Sequence, residues 1–161
     1  MDERAAFLRA HPPFDTLEAE ALERVAAVAE PRRFAAGATI LGRATPAPAF
    51  AYIVRSGTVE LVVDGHVLDL LGEGELFGYA AMLAELPVGY TARAAQAAVL
   101  YRIPEPALRP VLERVPALPA AVHEQRALLD AVSAGDARRA GARMREHVQA
   151  FEAEILDAFR R

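Results

Sequence analysis

The stretch Tyr52-Ile53-Val54-Arg55-Ser56-Gly57-Thr58-Val59-Glu60-Leu61-Val62-Val63-Asp64-Gly65-His66-Val67-Leu68-Asp69-Leu70-Leu71-Gly72-Glu73-Gly74 decides the fold. Asp64-Gly65 stands between the apolar runs Val59–Val63 and Val67–Leu71. A two-residue loop of this kind needs positive φ at both positions, which Asp-Gly supplies, so the segment predicts a tight antiparallel hairpin. Gly57, Gly72 and Gly74, together with Gly37 further upstream, read as turns where positive φ or close backbone approach is needed. Working outward, the same grammar of short apolar runs and turn residues continues on both sides. Upstream lie Phe34, Thr39–Leu41 and Phe50–Val54; downstream lie Thr91–Ala94 and Val99–Ile103. Many short strands at such spacing predict an antiparallel roll or barrel over about residues 32–104.

The flanks read as helices. Ala5–Ala10 predicts a short one. Asp15–Ala29 predicts another, with Asp15 and Glu18 at capping-box spacing and Pro31 ending it. After Pro104 the chain turns helical again. Ala120–Ala134 reads as one helix closed by Gly135, and Asp136 caps a second that runs to about Phe159. On it Gly141, Met144, Val148, Phe151, Ile155 and Ala158 recur at spacings of 3, 4, 3, 4 and 3. This apolar seam, with Met144, Val148, Phe151 and Ile155 at its centre, suits a homodimer or packing on the chain's own barrel. The expected fold class is therefore α+β. An antiparallel β-roll with N-terminal helices occupies 1–118, and a helical hairpin that serves as a candidate dimerisation element occupies 119–161.

Composition removes several functions. The chain has 161 residues and no cysteine, so disulfides, thiolate metal sites and cysteine catalysis are excluded. Its net charge of −4 gives no reason to expect nucleic acid. Every basic residue is arginine, asparagine is absent and alanine abounds, which reads as the codon bias of a GC-rich genome. Met1-Asp2-Glu3-Arg4 is not the start of a signal peptide, and no run of about 18 apolar residues suits a membrane span. The expectation is a soluble cytoplasmic protein. The four histidines, His11, His66, His123 and His147, do not form a metal-ligand pattern, and Ser56 and Ser133 lack a nucleophile-elbow setting. Gly72-Glu73-Gly74-Glu75 carries acids that repel phosphate, so it is not a phosphate loop. Arg138, Arg139, Arg143 and Arg145 read as a solvated helix face. The chain is not read as an enzyme, and no cofactor, metal, membrane or direct nucleic-acid partner is expected.

The order of these motifs resembles the cyclic-nucleotide-binding domain family. The segments that carry the likeness are Arg32–Ile40, Tyr52–Leu61 and Leu71–Gly78. The resemblance implies a jelly roll in which a short cassette between two strands grips the ligand. The cassette pattern is Phe-Gly-Glu, a short helix, then Pro-Arg-Ser/Ala-Ala-Thr, with the glutamate on the ribose and the arginine on the cyclic phosphate. This chain instead reads Phe77-Gly78-Tyr79-Ala80, a helix-like stretch to Glu85, then Pro87-Val88-Gly89-Tyr90-Thr91. Tyr79 stands at the glutamate position, Val88 at the arginine position and Gly89 at the small hydroxyl position. Arg93, the nearest remaining cation, is predicted to face away from the pocket. The Tyr79 and Tyr90 variant is similar to the N-terminal domain of bacterial signalling proteins that carry CBS and nucleotidyltransferase-like domains. Glu124 to His147 is similar to the closing helical pair of GntR-class effector domains, with Gln125 where a metal-binding histidine is usual. Convergence on a helical hairpin accounts for the same residues.

The resemblance implies a non-catalytic sensory or regulatory module of signal transduction, with a degenerate ligand pocket at Phe77, Gly78, Tyr79, Ala80, Val88, Gly89, Tyr90 and Thr91. Loss of the glutamate and arginine predicts no binding of cAMP or cGMP, leaving an unidentified small-molecule ligand or none. The alternative is a transcription-linked regulator acting through a DNA-binding partner or a further domain.

Overall fold

In the computed structural model the first strand of the roll pairs with the last. Residues 2–43 and 45–114 are described. The expected hairpin 119–161, with Met144, Val148, Phe151 and Ile155, lies outside them. The strands are β1 (Glu30–Phe34), β2 (Thr39–Leu41), β3 (Phe50–Ser56), β4 (Val59–Val63), β5 (His66–Leu71), β6 (Leu76–Phe77), β7 (Thr91–Ala94) and β8 (Ala98–Pro104). They form two four-stranded antiparallel sheets, ordered β1-β8-β3-β6 and β2-β7-β4-β5. This is the expected roll with flanking helices. The two-residue β6, pairing Leu76 with Ile53 and Phe77 with Tyr52, was not foreseen as a strand.

The hairpin reads as predicted. Val63 pairs with His66, and Asp64 and Gly65 take φ of 50° and 78°. Both values are positive, the twist that matches the flanking strands. Gly37, Gly57 and Gly74 also have positive φ, but Gly72 does not. Gly72 needs no left-handed backbone, because its turn is held by its N–H donating to the Glu75 carboxylate.

The helices are α1 (Glu3–Arg9), α2 (Ala19–Val28), α3 (Tyr79–Ala84) and α4 (Glu105–Leu112). Asp2 caps α1 by accepting from the Arg4 N–H at 2.9 Å. The capping box expected at Asp15 and Glu18 does not form. Asp15 sits in a 3-10 turn, Phe14–Thr16, and Glu18 occupies the cap of α2 without a side-chain bond. The turn closes before the helix starts, so the Asp15 side chain never meets the free N–H groups.

Two apolar cores result. Inside the roll, Val54, Val59, Leu61, Val63, Leu71, Ala92 and Leu100 pack together. On the opposite face of the β1-β8-β3 sheet, Ala51, Ile53, Tyr101 and Ile103 pack against Leu8, Phe14, Leu22, Val25, Leu108 and Leu112 of the helical layer. The split follows strand alternation: Ala98 and Leu100 point into the roll while Tyr101 and Ile103 fall in the helical core. Among the described residues no helix is long and apolar enough to cross a membrane.

Candidate functional site: the cassette between β6 and β7

The cassette begins where β6 ends. Gly78 takes φ of 81° and turns the chain directly into α3, whose first residue is Tyr79. Glu85 ends the helix, also with positive φ, at 56°. The chain then returns through Val88, Gly89 and Tyr90 to Thr91, the first residue of β7.

The structure places the predicted residues in one continuous segment but divides their side chains between the two cores. Tyr79, Ala80 and Met82 belong to the helical core. Phe77, Ala81, Val88 and Tyr90 belong to the core inside the roll, with Leu41, Tyr52 and Leu71. Tyr79 is 4% exposed, Val88 0% and Tyr90 4%. Phe77 stacks on Tyr52 with ring centroids 5.5 Å apart. The segment is thus packed as core, and its walls are apolar.

Its polar groups are engaged internally. The Gly78 N–H donates to the Tyr90 phenol oxygen, and burial pushes that phenol well above its ordinary value of 10.0. The Val88 N–H donates to the Thr45 carbonyl at 3.0 Å. The Thr91 hydroxyl accepts from the Arg43 N–H at 3.3 Å. At the hairpin tip the Arg43 guanidinium pairs with Asp64 at 2.6 Å. Thr45 and Arg43 were not singled out from the sequence, and Asp64 was read only as a turn residue, because nothing local marks a contact between the β2–β3 loop and the cassette.

Arg93 lies on the outer face of β7, where its Nε donates to Glu60 on β4 at 2.6 Å. Ala92 and Ala94 face inward. The geometry agrees with the expectation that Arg93 points away. His66 is exposed at the hairpin, and the His11 ring sits against Phe7, its Nδ1 2.8 Å from the Phe7 carbonyl oxygen. Among the described residues no three histidine or acidic side chains come together as a metal site.

No curated protein matches the chain. Solved structures do. A cyclic nucleotide-binding-like protein from Brucella abortus is 25% identical, with a TM-score of 0.55 over 70% of this chain and 99% of that one. The N-terminal domain of a transcriptional regulator from Streptomyces coelicolor is 26% identical, with a TM-score of 0.56 over 75% and 89%. The sensor domain of the transcriptional regulator DNR from Pseudomonas aeruginosa is 23% identical, with a TM-score of 0.60 over 68% and 80%. The family model of the cyclic nucleotide-binding domain matches residues 31–115, more than half of the chain and all of the described roll but its first residue, so the chain belongs to the cyclic nucleotide-binding domain family.

Proposed function

We propose that this protein is a non-catalytic, cytoplasmic regulatory module whose cassette does not bind cAMP or cGMP, and that it signals by self-association. The observation that carries this reading is the burial of Tyr79, Val88 and Tyr90 in apolar cores at the positions where the family pattern places polar contacts. A cyclic phosphate brought into the roll must be paired, because an unpaired charge out of water is heavily penalised. Val88 offers no side-chain donor. Losing one partner of a buried charge pair costs about 3–5 kcal/mol, roughly 10²–10⁴-fold in affinity. Tyr79 in place of glutamate removes a further charged hydrogen bond of about 1.5–3 kcal/mol. The Gly78 N–H, which heads α3, is already bonded to Tyr90.

Isothermal titration with each nucleotide tests the reading. The expected outcome is no saturable binding below about 1 mM, and a dissociation constant at or under about 10 µM, some −7 kcal/mol, refutes it. The variant carrying Tyr79→Glu and Val88→Arg is expected to gain nucleotide binding if the frame around the cassette is intact.

The likeness to the N-terminal domain of a Streptomyces coelicolor transcriptional regulator favours a second reading. In it the same module serves a transcription regulator through a DNA-binding partner or a further domain. Fluorescence anisotropy of the isolated chain on duplex DNA is then expected to stay flat, with DNA binding appearing only when the partner is added.

A further inference from the structure

A second cleft lies outside the roll, on the helical face of the β1-β8-β3 sheet, where α1 leaves the sheet uncovered. Its volume is about 480 Å³, within the range of small-molecule sites. Pro31 and Arg33 of β1, Val99 and Tyr101 of β8, and Arg55 of β3 form its floor and sides; Asp2, Glu3 and Arg4 form the third wall. Register explains the grouping. Arg33 pairs with Val99 and Pro31 with Tyr101, and β3 flanks β8 on the other side. Arg33 and Arg55 therefore rise from strands on either side of β8, about two strand spacings, or roughly 10 Å, apart at the backbone. Two arginine side chains span that gap with ease.

The arginines differ in how they are held. Arg4 is committed: it binds Asp2 at 2.9 Å and the Ala29 carbonyl at 3.0 Å. Arg55 is pre-positioned, with its guanidinium 4.9 Å from the centroid of the Phe7 ring and a hydrogen bond to the Tyr101 phenol. Its contact with Glu3 is long, at 3.4 Å, and the Glu3 side chain is 78% exposed. Arg33 is exposed, and its side chain has no hydrogen-bond or ion-pair partner among the described residues. Once Asp2 is matched by Arg4, the cleft holds two arginines against one loosely attached carboxylate. A guanidinium has five N–H donors in a rigid fork, so both arginines retain donors for an anion.

We infer that this cleft binds a small organic anion, a carboxylate or phosphate ester clamped between Arg33 and Arg55, with its apolar body on Val99 and Pro31 and with Glu3 as the internal group it displaces. The site is separate from the cassette and does not depend on the reading given to it.

The test is a ¹H–¹⁵N titration of the full chain with benzoate, phenyl phosphate and neutral benzyl alcohol. The expected result is saturable shifts around Val99, Tyr101 and Arg33 with one or both anions and none with the alcohol. Benzoate alone identifies a carboxylate site and phenyl phosphate alone a phosphate site. Arg33→Gln is expected to weaken binding about tenfold, as loss of a charge-assisted pair does, and Glu3→Gln to tighten it about threefold. Because the Arg33 side chain is exposed and bonded to nothing described, its replacement leaves the fold intact. No saturable shift with either anion overturns the inference. So does binding that is indifferent to Arg33→Gln, or that moves the cassette residues instead.

Discussion

Tyr90 ties the candidate site to the stability of the roll. Its phenol oxygen is the partner of the Gly78 N–H, and the side chain is buried in the core inside the roll. Tyr90→Phe is expected to strand that N–H at a cost of about 1–3 kcal/mol, read from urea unfolding at neutral pH. The same residue sets a pH dependence. The folded phenol holds its proton to higher pH than the ordinary value of 10.0, while the unfolded one releases it there. Above pH 10 the unfolded chain therefore binds fewer protons than the folded chain. Stability, fully present below that pH, is expected to fall as pH rises, by up to about 1.4 kcal/mol per unit. In Tyr90→Phe this part of the alkaline slope is expected to vanish. The residues at Tyr79, Val88 and Tyr90 were legible in the sequence as departures from the cassette pattern. The Gly78–Tyr90 bond was not, since it depends on Gly78 turning its N–H toward the inside of the roll.

At the scale of elements, positive φ is required for different reasons at different turns. Gly37 and Gly57 share a φ of 86°, but a Cβ on Gly37 would meet nothing within 4 Å. One on Gly57 would run into the Ala97 carbonyl oxygen and lie 2.8 Å from Ala98 Cα. Gly37→Ala is expected to cost about 1–2 kcal/mol for the left-handed backbone alone. Gly57→Ala is expected to cost at least about 2 kcal/mol more, because the β3–β4 turn must move away from the start of β8. Parallel thermal melts of the two variants check the difference. What the sequence revealed at this scale follows the same division between local and distant causes. The β4–β5 hairpin was legible because Asp64-Gly65 fixes its own geometry. The two-residue β6 was not, because its pairing with Tyr52 and Ile53 is set by a strand more than twenty residues earlier. Asp15 and Glu18 show the opposite failure: the spacing of a cap is present, but the intervening 3-10 turn takes Asp15 elsewhere.

For the whole molecule, self-association through Met144, Val148, Phe151 and Ile155 remains the proposal that links the roll to an output. Phe151→Asp is expected to convert a dimer to a monomer in sedimentation velocity, by placing a charge in an apolar contact at a cost of several kcal/mol, roughly 3–5. A monomer at high micromolar concentration for the unmutated chain rejects the dimer. The pairing of the first strand with the last has a consequence for how the chain reaches this state. Glu30 pairs with Arg102, and Phe34 with Ala98, so the first strand finds its partner only after nearly all of the roll has been traversed. The Val59–Leu71 hairpin is free to form on its own, on the scale of about 1–10 µs. The β1–β8 ladder waits for a long loop to close, and its entropy is lost before any contact repays it. A ribosome that has released residues through Leu86 presents a hairpin and an unpaired β1. The folding barrier is crossed only once β8 has emerged, and until then Glu30–Phe34 is an open strand edge that other nascent chains can reach.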